Sequence, residues 1–492
     1  MLYIGIDLGT SALKAILMDA EGKILYSSSR NYPLEFPNPG WSQQNPQDWE
    51  TAVKDCLKEL SAHCGEGEIS GVSVAGQMHG LVVLDENDEV IRPAILWNDG
   101  RSAEETEYLN NVIGREKLSD WTGNIAFAGF TAPKLLWMKK NEPENFARIR
   151  KIMLPKDYIV YRLTGVHSTD MSDASGFLLL DVKNRRWSEE MLEICGVTSA
   201  QMPKLFESYE CVGNVRSEVA ESLGLPHGVK VAAGAGDNAA AALGTATVGG
   251  GSCNISLGTS GTIFISSDCF ALDGGNALHS FAHADGSYHL MGCILSAASC
   301  NKWWAENILK SGDFTALQSG IGDDALGRNN VLFLPYLMGE RSPHNDPAAR
   351  GAFIGMSMDT TQEEMTLAVL EGVAFALRDS LECARALGIQ ITSSRLCGGG
   401  AKSALWQKIM ANVLNIDIQL LCAEEGPGLG AAMLAAVACG EYPTVGDAAK
   451  KIVKLSETIY PTPEIATAYE ERYSVFRRLY PALKNVGDFA RN

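Results

Sequence analysis

The tetrapeptide Leu-Gly-Thr-Ser occurs twice in this chain, at residues 8–11 and at residues 257–260, and each copy lies between two apolar runs. Each copy predicts a strand, a tight turn and a second strand. Glycine in such a turn lets the backbone approach a ligand closely, and the hydroxyl and N–H groups that follow can hold a phosphate. A repeat that returns near the middle of a chain predicts two related lobes. The turn residues are Gly9, Thr10, Ser11, Gly258, Thr259 and Ser260.

The two copies differ in charge. Asp7 precedes the first turn and Lys14 follows it, whereas Ser256 and Ile263 stand at the matching places of the second copy. A carboxylate in an apolar run is costly to bury unless it is paired or lies near a metal. This difference predicts that the charged side chains that act on a phosphate ligand belong to the first lobe. A single copy, taken alone, is equally consistent with a plain hairpin in which Asp and Gly only make the turn.

The chain has 492 residues, more than one hydrophobic core usually organises. Apolar strands followed by amphipathic helices predict a mixed α/β protein in which helices cover a sheet. No linker-like or low-complexity stretch separates the two halves. We expect a first lobe at residues 1–244 and a second at residues 245–492, with the last helix packing back on the first lobe.

Charge and cysteine usage exclude several classes of protein. The net charge of −18 argues against a nucleic-acid partner, because such binding relies on Lys and Arg. The twelve cysteines include no Cys-x-x-Cys pair, which leaves zinc ligation unsupported and is typical of reduced thiols.

The apolar run at residues 426–440 is too short to cross a bilayer, and Asp7 interrupts the stretch that a signal peptide needs. We expect a cytoplasmic protein with no membrane partner.

Polar residues follow two of the predicted strands, within Gly-Gln-Met-His-Gly and Leu-Trp-Asn-Asp-Gly-Arg. Ligands in open α/β sheets bind beyond the carboxyl ends of strands, so both tips are candidate pocket walls. A single histidine is more often a structural residue than a ligand. For His79, the surrounding Gly-Gln-Met-His-Gly motif favours a functional role. The candidates are Gln77, Met78, His79, Trp97, Asn98 and Arg101.

Two further strand-to-helix turns carry candidate residues. Asp237 and Asn238 stand between an apolar strand and an alanine-rich helix, where a negative charge is favoured. An N-cap is the plain explanation for that aspartate. The glycine run at residues 398–400, followed by Ala401, also opens a helix and would let a ring or phosphate lie against the backbone. Residues 170–176, rich in Ser and Asp, predict a loop.

These motifs together resemble the FGGY carbohydrate kinases over nearly the whole chain. The segments that carry the resemblance are DLGTS, AGQMHGLVVLD, ILWNDGR, GFTAPKLLW, LPKDYIVYRLTG, STDMSDASG, GDNAA and LPYLMGERSPHN. Within the family they look most like the segments of xylulokinases. The resemblance implies the two-lobed α/β fold of actin, hexokinase and the Hsp70 ATPase domain, with duplicated ribonuclease H-like lobes and a central cleft.

The resemblance also implies a role for each candidate residue. Asp237 would be the base that takes a proton from the sugar, and Asp7 would lie near Mg²⁺ and the transferred phosphate, both carboxylates holding the metal through water. The sugar would contact Gln77, Met78, His79, Asp237 and Asn238, with Trp97, Asn98 and Arg101 as further pocket candidates. ATP would contact Gly9, Thr10, Ser11, Lys14, Gly258, Thr259, Ser260, Gly399, Gly400 and Ala401.

The expected reaction is ATP-dependent phosphorylation of D-xylulose at O5 to D-xylulose 5-phosphate and ADP, in pentose catabolism that feeds the pentose phosphate pathway. An alternative is a family member acting on gluconate, ribulose or a pentitol. An acid substrate would require a cation in the pocket, and Arg101 and Lys156 are the candidates. A non-catalytic regulator or a chaperone-like ATPase would not need both Asp7 and Asp237. The resemblance further suggests a homodimer.

Overall fold

The computed structural model describes residues 1–64, 68–423 and 425–484. Within them, the two Leu-Gly-Thr-Ser copies form hairpins at equivalent places of two sheets. The strands up to the second copy are β1 Leu2–Leu8, β2 Ala12–Asp19, β3 Ile24–Asn31, β4 Gln43–Gln44, β5 Ile69–Gly76, β6 Val82–Leu84, β7 Ala94–Ile95, β8 Lys151–Met153, β9 Ser168–Asp170, β10 Leu180–Asp181, β11 Arg186–Trp187, β12 Lys204–Phe206, β13 Cys211–Asn214, β14 Lys230–Ala232 and β15 Ala235–Gly236.

Helices of the first half cover its sheet and build the wall beside it. They are α1 Pro46–Ser61, α2 Ala103–Glu107, α3 Arg115–Thr122, α4 Thr131–Asn141, α5 Pro143–Ala147, α6 Pro155–Thr164, α7 Met171–Ala174, α8 Glu189–Cys195, α9 Ser217–Leu223 and α10 Asp237–Gly244.

The second half repeats the pattern. Its strands are β16 Cys253–Leu257, β17 Gly261–Ser267, β18 His279–Ala282, β19 Tyr288–Ile294, β20 Leu332–Leu334, β21 Ala352–Ile354, β22 Ser393–Cys397, β23 Asp417–Leu421 and β24 Leu455–Ile459. Its helices are α11 Ala298–Lys302, α12 Phe314–Ser319, α13 Gln362–Ala386, α14 Ala404–Leu414, α15 Gly426–Cys439, α16 Val445–Ile452 and α17 Pro463–Leu483.

The two main sheets share one topology. The first has the strand order β13-β14-β5-β1-β2-β3, with β15 also paired to β5, and the second has the order β18-β19-β17-β16-β22-β23-β24. In each sheet the hairpin is antiparallel, and its first strand pairs in parallel with a later strand, β5 or β22. The repeat in the sequence is therefore a repeat of the sheet, as predicted.

The second hairpin turn is one residue tighter than the first. Asp7 pairs with Lys14 across the first hairpin, whereas Ser256 pairs with Thr262. The expected match of Ile263 with Lys14 is wrong, because Gly261 already pairs with Leu257. The second copy thus presents two short hydroxyl side chains where the first presents a carboxylate and an ammonium.

Local sequence signals set several helix ends correctly. Asn45 caps α1 by accepting a hydrogen bond from the Gln47 N–H, and Gly165 ends α6 with φ of 77°. The loop expected at residues 170–176 is wrong. Asp170 caps a short buried helix there, α7, and accepts from the Ser172 and Asp173 N–H groups. Ser and Asp are typical of loops, but they also cap helices, so composition alone does not distinguish a loop from a short helix at this place.

Within the described residues, the last helix is α17, and it contacts α13 and α14 of the second half. It packs on α13, where the Tyr469 and Arg472 side chains donate to Glu371. Helix α15 makes the return contact instead, since it packs against β1, β5 and α10 in one buried cluster. The boundary near residue 244 stays a prediction.

Two expectations concern the chain as a whole. All twelve cysteines lie in the described part of the chain, and none of them forms a disulfide. Among residues 1–64, 68–423 and 425–484, no helix combines the length and apolar character that crossing a lipid bilayer requires.

Candidate active site

Asp7 and Asp237 lie at the same edge of the first sheet. Strand β1 pairs in parallel with β5, and Asp7 stands opposite Ala75; Ala235 of β15 stands opposite the same residue from the other side. Asp237 follows β15 directly and begins α10, where its Oδ1 accepts a hydrogen bond of 2.7 Å from the Asn238 N–H. The carboxyl ends of parallel strands thus bring both carboxylates to one edge.

Both carboxylates have raised pKa values, and the charge of Asp7 contributes to that of Asp237. Burial raises the pKa of Asp7 to about 6, against the opposing effect of the Lys14 ammonium. Burial and the negative charge of Asp7 raise the pKa of Asp237 to about 7. Lys14 itself forms an ion pair of 2.9 Å with Glu425, just before α15. Two neighbouring carboxylates with raised pKa values form a site at which a bound cation would stabilise the ionised state.

The first Leu-Gly-Thr-Ser turn is held from outside by side chains. The Tyr32 hydroxyl donates to the Gly9 carbonyl, and the Gln44 amide donates to the Thr10 carbonyl at 2.7 Å. Gln77 donates to the Gln44 Oε1 at 3.0 Å, and the Trp97 indole donates to the Thr10 Oγ1 at 3.0 Å. Gln77 and Trp97, expected to contact sugar, are therefore directed toward the turn.

His79 forms the wall beside this turn in an unusual conformation. Its φ of 70° lies in the left-handed region, which is uncommon for a residue other than glycine. The Nδ1 lies 2.9 Å from the Gly176 carbonyl, and the ring stacks on Phe130 with centroids 4.6 Å apart. A carbonyl can only accept, so Nδ1 carries the proton and Nε2 is left as an acceptor. Burial lowers the pKa of His79 to about 3, which keeps the ring neutral.

Met78 links this wall to the edge that carries Asp7 and Asp237. A Cβ added to Gly236 would lie 2.9 Å from the Met78 sulfur, and one added to Gly176 would lie 2.5 Å from the His79 Nδ1. Both glycines are therefore needed for the Met78–His79 pair to fit. Because Gly236 immediately precedes Asp237, the Met78–His79 wall packs against the backbone next to that carboxylate.

An open cavity of about 810 Å³ lies between the second turn and the glycine run. The chain after the glycine run forms a 3-10 turn, Gly399–Lys402, that ends where Ser403 caps α14. The second turn is fixed by the next helix, since Ala298 N–H donates to the Gly258 carbonyl at 2.8 Å. The cavity is lined by Thr259, Ser299, Gln318, Gly399, Gly400 and Ser403, among others.

A smaller cavity of about 250 Å³ lies between the two lobes. Asn238 opens onto it from the first lobe, and Ser256 and Thr262 of the second hairpin face it from the other. Glu425, the partner of Lys14, lines the same space. The second hairpin therefore faces the first lobe across this cavity, and Lys14 of the first hairpin is linked to its rim through Glu425.

Two domain descriptions match most of this chain. The N-terminal domain of the FGGY family of carbohydrate kinases matches residues 2–244, and the C-terminal domain of that family matches residues 253–439. The chain belongs to the FGGY family of carbohydrate kinases. The xylulose kinase of Escherichia coli (strain K12) is 40% identical over 484 residues, which are 98% of this chain and 99% of the relative.

Solved structures of FGGY kinases share the fold. A xyloylose kinase from Brucella ovis is 41% identical, with a TM-score of 0.93 over 99% of this chain and 100% of its own. A gluconate kinase from Lactobacillus acidophilus is 28% identical, with a TM-score of 0.92 over 98% of each chain. The two-lobed α/β fold predicted from the sequence is confirmed. Since neighbours with different named substrates superpose equally well, the substrate must be argued from the site.

Two pocket candidates of this FGGY kinase, Asn98 and Arg101, line neither of the two cavities described above. Arg101 is buried against Asp99, with Nη2–Oδ2 of 2.7 Å and Nε–Oδ1 of 2.9 Å, and its guanidinium lies 3.9 Å from the centre of the Trp41 ring. Asn98 is exposed and lines a separate surface depression beside residues 36–42. Arg101 is therefore not a free cation, which local sequence alone did not reveal.

Sequence reasoning missed Lys134. This lysine of α4 is fully buried, and its ammonium donates to the His79 carbonyl at 2.8 Å and to the Gly129 carbonyl at 2.6 Å. The Thr131 hydroxyl donates to the same His79 carbonyl at 3.0 Å. No carboxylate within the described residues forms an ion pair with Lys134. A lysine on an amphipathic helix is usually solvated, so only its place inside the GFTAPKLLW motif could have singled it out.

Proposed function

We propose that this FGGY kinase transfers the γ-phosphoryl group of ATP to O5 of D-xylulose, giving D-xylulose 5-phosphate and ADP. One observation carries the proposal: Asp7 and Asp237 lie at one edge of the first sheet, and Met78 of the His79 wall packs on Gly236, the residue before Asp237. The 810 Å³ cavity lies at the second Leu-Gly-Thr-Ser turn. The cavity suits the adenosine of ATP, and the wall suits a sugar. The likeness to xylulose kinases across nearly the whole chain supports this substrate.

In the proposed reaction, Asp237 accepts the proton of the O5 hydroxyl as that oxygen attacks the γ-phosphorus. A base whose pKa lies near the working pH is suited to this role, and the pKa of about 7 for Asp237 meets that condition. Phosphoryl transfer depends mainly on positioning and charge neutralisation. The two hairpin turns would supply N–H and hydroxyl donors to the phosphates, with Lys14 at the rim of the first turn.

Mg²⁺ fits the oxygen donors of this edge. Two carboxylates with raised pKa values are the hard ligands that Mg²⁺ takes, together with waters and phosphate oxygens. No group of three or more His, Cys, Asp or Glu side chains within the described residues could enclose a metal. Asp7 and Asp237 would therefore hold it from one side only, through water. When bound, the ion neutralises charge on the phosphates.

A neutral polyhydroxy substrate agrees with the polar groups of the wall. The neutral His79 ring presents Nε2 as an acceptor for a sugar hydroxyl, and Asn238 offers an amide at the inter-lobe face. The two cations that the sequence suggested for an acid substrate are both engaged by carboxylates. Arg101 is paired with Asp99, and Lys156 is enclosed by carboxylates without any exposure.

Gluconate phosphorylation is the second candidate. Arg341, on a second-lobe loop, lies 5.4 Å from the centre of the Phe127 ring and close enough to His79 to lower its pKa. That guanidinium is the cation a carboxylate substrate would use, and a gluconate kinase is among the structural neighbours. A coupled assay with D-xylulose, ribulose, pentitols and gluconate separates the two candidates, with the highest kcat/KM expected for D-xylulose.

The base is tested with Asp237→Ala. We expect kcat to fall by about 10²–10⁴-fold, the worth of a positioned base, while ATP still binds, because the adenosine cavity lies in the other lobe. Asp55→Ala, at an exposed position of α1, is the matched control and should keep normal turnover. Normal turnover of Asp237→Ala with D-xylulose would remove Asp237 from the reaction.

A further inference from the structure

The strand that leads to Asp237 is interrupted just before it. Val231 pairs with Val72 of β5, but Ala235 pairs with Ala75, so the segment contains one residue more than its partner. Gly234 takes the extra turn with φ of 84°, and a Cβ there would lie 2.1 Å from the Val74 carbonyl oxygen. Such a bulge redirects the chain. The segment that orients the Asp237 side chain therefore has to be held in place by contacts from outside the sheet.

A fully buried ion cluster fills the space beside this bulge. The Lys156 ammonium lies 2.7 Å from Asp157, 2.9 Å from Asp170 and 3.8 Å from Asp173, and none of the four side chains is exposed. The same ammonium donates to the Ala233 carbonyl, within the bulge, at 3.2 Å. We call these four residues the Lys156 cluster. Buried charges of this kind demand close pairing, so the cluster is a rigid anchor.

Ser172 connects the Lys156 cluster to the residue before Asp237. Its hydroxyl donates to Asp170 Oδ2 at 2.5 Å and accepts a hydrogen bond of 3.1 Å from the Gly236 N–H. Ser208 also donates to Asp170 Oδ2, at 2.7 Å, but its hydroxyl has no bond to Gly236. A continuous path thus runs from Lys156 through Asp170 and Ser172 to the Gly236 peptide.

We propose that Ser172 is a positioning residue for Asp237, fixing the orientation of the Gly236 peptide through the Lys156 cluster. The inference rests on the proposed function, since it takes Asp237 as the base. A bond at the Gly236 N–H sets the direction in which the next side chain leaves the backbone. Loss of that bond lets the carboxylate move relative to the acceptor hydroxyl, and such displacements of a catalytic group reduce the rate of reaction more than they reduce substrate binding.

The chain offers a matched pair of variants for the test. Ser172→Ala and Ser208→Ala each remove one hydroxyl donor from the same oxygen of Asp170, and both serines are fully buried. We expect both to lower Tm by similar amounts. Only Ser172→Ala should lower kcat, by about 10- to 100-fold, with KM for ATP and for D-xylulose unchanged. Ser172→Cys, which keeps the size and a weak acceptor, should lie between wild type and Ser172→Ala.

Equal kcat values for folded Ser172→Ala and Ser208→Ala would overturn the inference, as would normal kcat in Ser172→Cys if the alanine variant does not fold. Asp237→Ala, measured alongside, separates this failure from failure of the proposed function. An inactive Asp237→Ala with indistinguishable serine variants leaves the base in place and removes only Ser172. An active Asp237→Ala removes both.

Discussion

At the scale of single residues, the His79 wall holds a backbone conformation of high energy, with φ of 70°. A left-handed conformation of a non-glycine residue costs about 1–3 kcal/mol and persists only where its surroundings hold it. Here the His79 carbonyl accepts from both Lys134 and Thr131, while its ring is fixed by Gly176 and Phe130. The backbone and the imidazole are thus held independently, and Nε2 keeps a single direction.

Lys134→Met should raise KM for D-xylulose by about tenfold, equivalent to about 1.4 kcal/mol, and leave KM for ATP unchanged. Methionine keeps the length of the side chain but removes both donors, so His79 can relax from its strained conformation. Thr131→Val, which removes one donor, should have a smaller effect in the same direction. Lys140→Met, at an exposed position of the same helix, is the control. A parallel rise in both KM values would contradict the assignment.

The sequence predicts some of these residues and not others, for physical reasons. Asp7 and Asp237 stand out because a carboxylate at the end of an apolar strand is unusual, and they do lie at one edge. The burial of Arg101 depends on Asp99 and Trp41, which pattern and spacing do not bring together. Lys134 and Ser172 act through backbone groups of residues 55 and 64 positions away, which no local pattern encodes.

At the scale of elements, two neighbouring glycines that line the 810 Å³ cavity have different structural roles. A Cβ on Gly400 would lie 2.8 Å from the Leu257 Cβ and 2.9 Å from the Trp406 ring, whereas a Cβ on Gly399 would meet no atom within 4 Å. Gly400 therefore lets the 3-10 turn pack on β16 and α14. Gly399 leaves space within the cavity itself.

Gly399→Val and Gly400→Ala should consequently separate nucleotide binding from stability. The valine side chain occupies cavity volume, so KM for ATP should rise several-fold while Tm and KM for D-xylulose stay near wild type. The alanine at 400 is overpacked and should cost about 1–3 kcal/mol of unfolding free energy. Thermal unfolding and steady-state kinetics on both variants provide the measurement. A normal KM for ATP in Gly399→Val would place the adenosine elsewhere.

Two long helices, α1 and α13, carry local signals that the sequence shows, since the Asn45 and Thr361 side chains cap their first turns. Short elements are not predicted by such local signals alone. Helix α7 has only four residues, and its identity depends on Asp170 being buried against Lys156. The register of the second hairpin depends on Gly261 pairing with Leu257, a difference of one residue that a sequence repeat cannot resolve.

At the scale of the whole molecule, α15 joins the two halves by unusually close packing. A Cβ on Gly430 would lie 2.0 Å from the Ala240 carbonyl oxygen, and a Cβ on Gly5 would lie 2.0 Å from the Gly428 carbonyl oxygen. Backbone therefore meets backbone where α15 crosses α10 and β1. These contacts explain why a helix of the second half belongs to the core of the first.

Gly430→Ala should push α15 away from α10 and lower both Tm and kcat, because α10 begins with Asp237. Overpacking against backbone costs about 1–3 kcal/mol or more. Gly428→Ala is a close control on the same helix, since its Cβ would meet only Ile16 carbons at 3.9 Å. It should leave Tm unchanged or slightly raised. Equal behaviour of the two variants in differential scanning calorimetry would argue against the close crossing.

The position of α15 also constrains how such a molecule can open and close. This helix lies against β1, which carries Asp7, and against α10, which begins with Asp237. A relative rotation of the lobes that keeps these backbone contacts would move β1, α10 and α15 as one body, so that Asp7 and Asp237 travel together. Nucleotide could enter and leave while the spacing of the two acids stays fixed.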